Sequence, residues 1–329
     1  MASQFVLLQI GSMRGVDLDL FDFDYDLTWM AFFVSADEKV YGRYGGRHPD
    51  GVHRYRSLAG LRHALEAALA AHRRDQPQPP RSAPQVARTP EQYPAAKRLS
   101  ASSCIHCHHV HECRREALQA AGTWRAELEY IYPLPENLGL ALDVDRGDRL
   151  RAVTKGSAAA GLGLAPGDIL RTVNGAAVAS FGDVQYALQR APSDRAIALT
   201  WERAGKAQGG TLQPPPDWRK TDISWRWSLR SLQPDPSVHG EDLTAAEKKA
   251  LGLESRQLAL RQGPFVTAPA RFAGLQTGDV IIGVDGHRLE MTARQFDTYV
   301  RLNYRPGAEV ILNVLRSSKR LDLTLKLPQ

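Results

Sequence analysis

A short pattern occurs twice in the second half of this 329-residue chain, at positions 163–175 and 274–286. Each copy has Gly-Leu, then Gly-Asp followed by two aliphatic residues, and then Val-Asn-Gly or Val-Asp-Gly. A glycine before an aspartate predicts a tight turn, because glycine adopts conformations closed to other residues and aspartate accepts hydrogen bonds from nearby backbone. The repeat therefore predicts two copies of one domain, with both Gly-Asp pairs serving the fold.

The repeated pattern resembles the PDZ domain, in particular the type that follows the serine protease domain in bacterial Deg proteins. The resemblance implies two PDZ-like modules of β-barrel or sandwich form, PDZ 1 at 126–215 and PDZ 2 at 241–329. Together with the segments before them, they predict a multidomain α+β protein. Binding of peptides or of protein termini is the first function that this resemblance implies, and packing or dimerisation through the same folds is the alternative.

A PDZ domain binds a peptide as an extra strand at a sheet edge and holds the terminal carboxylate in a nest of backbone N–H groups. The expected peptide-binding residues in PDZ 1 are a glycine-containing loop and one helix face: Leu138, Gly139, Leu140, Ala141, Val184 and Leu188. The corresponding residues expected in PDZ 2 lack the central glycine: Leu258, Ala259, Leu260, Phe296 and Val300.

The first 74 residues contain three short apolar runs, at 5–10, 28–34 and 39–46. The run at 5–10 predicts a buried strand, the other two predict a hairpin, and a helix should follow with Ser57 as its cap. This order resembles the C-terminal half of a thioredoxin-like domain, here residues 1–74. In that family the redox Cys-x-x-Cys lies in the first half of the domain, which here would precede Met1. This half therefore has no nucleophile, and we expect an N-terminally incomplete chain.

Two further segments differ in composition from the domains beside them. Residues 75–100 are rich in proline and predict an extended, semi-rigid linker. Residues 216–240 contain three tryptophans and are expected to be a linker whose indole rings pack against the modules.

All three cysteines lie between positions 104 and 113, in a predicted helical segment at 101–125. Cys104, Cys107 and His108 form Cys-x-x-Cys-His, the attachment motif of c-type haem, in which two thiols hold the porphyrin and the imidazole binds the iron. If Ser102 or Ser103 capped a helix here, both thiols and the imidazole would lie on one helix face.

Three other interpretations of these cysteines remain open. Zinc or another metal could be bound by Cys104, Cys107, His111 and Cys113, or with His108 as one ligand, because thiolates and imidazoles suit tetrahedral zinc. Cys104 and Cys107 could instead form a redox dithiol whose thiol pKa is lowered at a helix N-terminus. A histidine-rich exposed helix without any ligand is the third interpretation.

The order of segments resembles a bacterial family with a thioredoxin-like domain, a Cys-x-x-Cys-His segment and PDZ modules, some of whose members are selenoproteins. The resemblance implies a peptide- or protein-binding adaptor with a redox segment. The alternatives are a c-type haem electron-transfer protein docked by its PDZ modules and a thiol–disulfide oxidoreductase. Because haem attachment and stable disulfides belong outside the cytoplasm, we expect a periplasmic or otherwise exported protein, although the N-terminus has no signal-peptide pattern.

Several function classes are disfavoured by the sequence. The net charge of +6 is spread along the chain rather than gathered in one basic run, so we expect no nucleic-acid partner. No apolar stretch is long enough to span a membrane. The sequence contains no Gly-x-Ser-x-Gly and leaves little room for a Ser/His/Asp domain outside the assigned segments, which predicts that the chain is not a hydrolase.

Overall fold

The computed structural model describes residues 2–75, 87–100 and 102–329. The chain divides into two compact units, Met1–Thr221 and Asp222–Gln329. Among the described residues, no helix combines the length and apolar character needed to cross a membrane.

The first unit begins with a hairpin and a helix. Strands β1 (Ala31–Val34) and β2 (Val40–Tyr44) pair antiparallel, and helix α1 (Leu58–Arg74) follows them. The predicted cap Ser57 is confirmed, since its side chain accepts a hydrogen bond from the Gly60 N–H. The hairpin and α1 share a small apolar core.

Residues 5–10 do not form the predicted buried strand. They are extended without a strand partner, and Val6, Leu7 and Leu8 are each at least 80% exposed. A strand requires a neighbour for its backbone N–H and C=O groups, and the nearby sheet consists of β1 and β2 only. An apolar sequence alone was therefore not sufficient to place this segment in a sheet.

The predicted proline-rich linker at 75–100 lies partly outside the described residues, which exclude 76–86. Its described part, 87–100, contains two 3-10 turns, Pro90–Gln92 and Pro94–Arg98, and buries Pro90 and Ala96. This part packs against the N-terminal residues of the same unit, where the Leu18 N–H donates to the Arg88 carbonyl at 2.8 Å.

Helix α2 (Cys107–Ala120) begins later than the sequence indicated. His106 occupies the N-cap position, and the predicted caps Ser102 and Ser103 lie outside the helix. The reciprocal hydrogen bonds of His106 and His109 close the first turn. Cys104 therefore precedes the helix, whereas Cys107 is its first residue.

The remainder of the first unit is a PDZ fold. It comprises β3 (Leu140–Leu142), β4 (Leu150–Val153), α3 (Ala158–Gly161), β5 (Ile169–Val173), β6 (Ala176–Ala177), α4 (Phe181–Arg190), β7 (Ile197–Arg203) and β8 (Lys206–Leu212). β3 pairs with β4, and a second sheet has the order β6-β5-β7-β8. Their apolar faces and α4 enclose one core, which includes Trp201 and Trp218.

The second unit repeats this arrangement. It comprises β9 (Gly240–Asp242), α5 (Ala245–Ala250), β10 (Leu260–Gln262), α6 (Ala268–Phe272), β11 (Val280–Val284), β12 (His287–Arg288), α7 (Ala293–Asn303), β13 (Glu309–Arg316) and β14 (Lys319–Lys326). One sheet has the order β14-β13-β11-β10-β9, and β12 pairs with β11. The predicted linker at 216–240 is divided between the units, since Trp218 is buried in the first unit and β9 begins at Gly240.

The two Gly-Asp turns are built from the same hydrogen bonds. Asp168 accepts from the Ala165 N–H at 2.8 Å and from two nitrogens of Arg203 at 2.7 Å. Asp279 makes the same contacts with the Gln276 N–H and with Arg316. Each aspartate links its turn to the arginine at the end of a neighbouring strand, β7 or β13. This is the structural role that the sequence predicted.

Replacing the turn aspartate should therefore destabilise the domain that holds it. Asp279→Ala leaves the Gln276 N–H without its acceptor and should lower the free energy of unfolding by about 1–3 kcal/mol, measured by urea denaturation. Asp145→Ala, at an exposed loop position, is the control and should change that free energy by less than about 0.5 kcal/mol. Equal effects of the two substitutions would contradict a structural role for the turn.

Candidate functional site

The structure brings together the residues predicted to form the peptide site of PDZ 1. Gly139 has a φ of 88° and leads into β3, whose Leu140 belongs to one buried cluster with Val184 and Leu188 of α4. The four aliphatic side chains predicted to contact the ligand are each at most 1% exposed: Leu138, Leu140, Val184 and Leu188. Ala141 is half-buried. These residues meet as predicted, and they are core side chains, as are Phe296 and Val300 of PDZ 2 at 0% and 2% exposed.

The predicted loop of PDZ 2 lies elsewhere than the sequence suggested. Leu258, Ala259 and Leu260 are buried and lead into β10, which pairs with β9 on one side and with β11 on the other. A peptide can be added only to a strand with an open edge. We therefore correct the position of this site, because β10 is an interior strand.

Strand β9 is the counterpart of β3. β9 pairs antiparallel with β10 as β3 pairs with β4. Ser237 has a φ of 59° just before β9, as Gly139 has a positive φ just before β3. Its carbonyl accepts from the Oγ1 of Thr267, the cap of α6. The left-handed residue that opens the PDZ 2 loop is thus a serine, so a loop pattern based on glycine does not indicate its position.

The open edge of β9 is next to α7. All three residues of β9 are exposed, and the Ala293 N–H at the start of α7 donates to Asp242 Oδ1 at 2.8 Å. Val238 belongs to the same buried cluster as Phe296 and Val300, the two helix residues predicted to line the pocket. The strand edge, the loop and the helix wall of a peptide site are therefore all present in PDZ 2.

The cysteines do not share the helix face expected for haem attachment. Cys104 is exposed and lies outside α2, Cys107 is half-buried, and Cys113 is fully buried. Burial raises the pKa of the Cys107 thiol although the residue begins a helix, and burial raises the pKa of Cys113 as well. A lowered thiol pKa at Cys107, which the dithiol interpretation required, is not found.

Two groups of side chains among the described residues have the spacing of metal ligands. His108, His109 and Glu112 form one group, and Asp24, Asp26 and His111 form the other, with ligand atoms within 4.8 Å of one another in each group. Within the described part of the chain neither group includes a cysteine, so the predicted set of Cys104, Cys107, His111 and Cys113 is not brought together. Binding of haem, binding of zinc and the absence of a cofactor all stay predictions.

A buried carboxylate joins PDZ 1 to the N-terminal hairpin. Asp183 in α4 accepts from the Arg43 N–H of β2 at 2.7 Å and from Ser180 Oγ at 3.0 Å. Burial raises the pKa of Asp183 from 3.8 to about 6, even though these hydrogen bonds oppose the shift. No local pattern in the sequence indicates this contact, because its two residues are 140 positions apart.

Comparison with known proteins identifies both modules. The model of one PDZ domain family matches residues 149–203, and that of another matches residues 264–327. The predicted PDZ modules are therefore confirmed: this is a mixed α/β multidomain chain with two PDZ domains. The thioredoxin-like interpretation of residues 1–74 is not shown by these matches and stays a prediction.

Three curated relatives match this chain. A periplasmic serine protease, do/HhoA-like, of Haemophilus influenzae is 28% identical over 56% of this chain and 36% of its own length. The periplasmic pH-dependent serine endoprotease DegQ of Escherichia coli is 28% identical over 56% of this chain and 37% of its own length. The magnetosome formation protease MamE of Magnetospirillum gryphiswaldense is 25% identical over 64% of this chain and 31% of its own length.

One solved structure among those that match is the HtrA-type protease AlgW with a decapeptide. It is 20% identical, with a TM-score of 0.24, and covers 49% of each chain. The chain spans about a third of the length of the curated relatives it matches.

These relatives correct two predictions. They are named as serine proteases, so the predicted functions of redox-coupled adaptor, haem electron carrier and thiol–disulfide oxidoreductase are contradicted. The prediction that the chain is not a hydrolase is contradicted in the same way. The match spans about a third of the length of each relative, so these names assign no nucleophile within this chain.

The pH dependence of folding should report the buried Asp183. Since its pKa is higher in the folded chain than in the unfolded chain, its contribution to stability is complete below pH about 4 and is lost as the pH rises through about 6. The loss should be about 2–3 kcal/mol, measured as the difference in urea unfolding between the parent and Asp183→Asn. A difference that stays constant from pH 4 to pH 7 would show that Asp183 does not titrate in this window.

Proposed function

We propose that this chain binds polypeptide C-termini and extended strands through its PDZ domains, as the substrate-binding part of serine proteolysis of the DegQ/HtrA kind in the periplasm. The observation that carries the proposal is the exposed strand β9 beside α7. PDZ domains bind peptides by strand addition. The serine protease relatives, two of them periplasmic by name, supply the proteolytic context and the location.

Strand pairing determines which backbone groups of β9 can accept a peptide. The Leu243 N–H donates to the Ala259 carbonyl, and Glu241 is paired with Arg261, so these residues of the strand face β10. In an antiparallel pair the alternate residues direct their N–H and C=O groups to the other side. Gly240 and Asp242 therefore present the groups with which an incoming peptide would pair.

The end of a bound peptide would lie at the loop before β9. Ser237 is in the left-handed conformation, in which successive N–H groups form a concavity that binds anions. The Ser237 N–H already donates to Asp235 Oδ1 and the His239 N–H to Gln262 Oε1, so a terminal carboxylate would replace these acceptors. The terminal carboxylate would bind there, and the last side chain would contact Val238, Phe296 and Val300, which form one apolar cluster. An apolar C-terminal residue fits this environment best.

The peptide-binding step is the part of proteolysis that we assign to residues. Holding an extended polypeptide at β9 raises its local concentration for cleavage, since linked binding events gain from effective concentration. The bond-breaking step rests on the likeness to serine proteases and is not assigned to any side chain. The partners implied are unfolded or extended polypeptides with free C-termini.

Peptide binding should depend on the amide of Asp242. Asp242→Pro removes both the backbone N–H at the open edge and the side-chain carboxylate. Asp242→Ala removes the carboxylate and keeps the backbone N–H. Binding of a fluorescent decapeptide that ends in valine with a free carboxylate should weaken about tenfold in the proline variant relative to the alanine variant. Equal affinity of the two variants, measured by fluorescence anisotropy, would place the peptide elsewhere.

The proteolytic context makes a separate prediction. The protein purified from its native host should degrade unfolded casein, and a serine-directed fluorophosphonate should stop the reaction because it modifies the nucleophilic serine of such proteases. Casein that remains intact on a gel would contradict proteolysis by this protein. The two Asp242 variants would still decide whether its PDZ 2 binds peptide.

A further inference from the structure

We propose that the peptide groove of PDZ 1 is closed by the protein's own N-terminal segment, with Tyr55 as the side chain that fills it. Peptide then binds at PDZ 2, and it binds at PDZ 1 as well once this segment is displaced. The inference rests on the proposed function, since it specifies how peptide binding is divided between the domains. We call residues 46–57 the covering segment.

Tyr55 is packed against the start of α4. Its ring stacks on that of Phe181, with centroids 3.7 Å apart and planes 8° from parallel. It is 5% exposed and belongs to the same buried cluster as Leu138 and Leu140 of the predicted ligand loop. Tyr55 thus contributes to the core of a PDZ domain from a position 85 residues before that domain's first strand residue, Leu140. A side chain of the same protein therefore packs on the first residue of the helix that would form one wall of the groove.

The two ends of the covering segment are anchored to PDZ 1. At Gly46 a Cβ atom would lie only 2.3 Å from the Phe181 ring, so the backbone passes directly against this side chain. At the other end Ser57, the cap of α1, is 3.4 Å from the Val144 carbonyl through its Oγ. His63 and Asp148 add a contact of 3.0 Å between α1 and the loop after β3.

The strand before the covering segment fixes it further. Asp183 accepts the Arg43 N–H, and Ser180 Oγ donates to the Arg43 carbonyl. The Arg43 guanidinium also lies 3.5 Å from the centroid of the Tyr186 ring, a favourable cation–π position. Backbone, side chain and charge therefore all hold β2 against the helix that would form one wall of the groove.

The opposite end of α4 is covered by the chain that leaves PDZ 1. Arg219 donates to the carbonyls of Leu188 and Gln189 at the C-terminus of α4. Trp218 is buried, and its carbonyl accepts from Asn137 in the ligand loop at 2.7 Å. Both ends of α4 therefore contact other parts of this protein, as both ends of α7 do, where Gln295 donates to Asp222 and Arg301 donates to the Leu232 carbonyl.

In PDZ 2 the equivalent helix begins with a small residue and not with an aromatic one. Ala293 is the first residue of α7, as Phe181 is the first residue of α4. β9 is exposed along its length, whereas Leu140 and Leu142 of β3 are buried. The equivalent strand is therefore exposed in one domain and carries buried side chains in the other.

The Tyr55 hydroxyl supplies a matched control. Within the described part of the chain this buried oxygen has no hydrogen-bond partner. Tyr55→Phe should therefore keep the ring stacked on Phe181 and the groove closed, while Tyr55→Ala should open it. Gly46→Ala is a second opening variant, because its methyl group collides with Phe181 and no core side chain is removed.

The experiment measures peptide stoichiometry and amide exchange on the full chain. Isothermal titration with the valine-ending decapeptide should give one binding site for the parent and for Tyr55→Phe. It should give two binding sites for Tyr55→Ala and Gly46→Ala, because removing the closed state of PDZ 1 restores its intrinsic affinity. Without peptide, the amides of β3 and α4 should exchange at least about tenfold faster in the opening variants. Circular dichroism confirms that each variant is folded.

The outcomes separate this inference from the proposed function. One site in every folded variant, or unchanged exchange in both opening variants, overturns the covering role of Tyr55. Two sites in the parent protein also overturn it. If no variant binds peptide, the proposed function fails, while faster exchange in the opening variants would still establish that the segment covers β3 and α4.

Discussion

Strand addition requires a strand whose second edge has backbone groups that are not already paired, and within the described residues β3 and β9 each pair with one strand only. β3 and β9 hold equivalent positions beside β4 and β10. Around β3 the neighbouring elements bury the aliphatic side chains, whereas β9 is exposed. The function of each domain therefore depends on what lies beside its groove, and less on the pattern that identifies the fold.

The N-terminal part of the chain belongs to the same compact unit as PDZ 1. Its contacts with α4 combine a stacked aromatic pair, a carboxylate that accepts a backbone N–H, and an arginine over a tyrosine ring. Aromatic pairs add about 0.5–1.5 kcal/mol beyond the burial of their area. A cover held by several contacts of this size is stable on average, yet it can be displaced by a ligand that binds the open groove tightly.

The repeated pattern was sufficient to predict both PDZ domains and the role of their Gly-Asp turns. Such turns depend on local conformation, and the short-range hydrogen bonds of Asp168 and Asp279 follow from residues three positions away. The ligand loop of PDZ 2 was not found because Ser237 adopts the conformation that glycine adopts in PDZ 1. Sequence identity at that position is not required when the surrounding hydrogen bonds hold a serine there.

Other failures have a common cause in tertiary contacts. Helix α1 buries the small residues Gly60, Ala64 and Ala68, whereas Leu58 is exposed. Small residues allow close approach to the neighbouring backbone, as at Gly60 beside the Val144 carbonyl. The contact of Tyr55 with Phe181 lies beyond any local pattern, and no periodicity within the covering segment indicates it.

The central claim is that an added peptide pairs with β9 while the PDZ 1 groove is closed. The most direct measurement is an NMR map of backbone amide shifts in the full chain on titration with the valine-ending decapeptide. The account predicts large shifts at residues 237–242 and at the facing turns of α7, with little change at residues 138–142. Shifts centred on residues 138–142, or none in either domain, would contradict it.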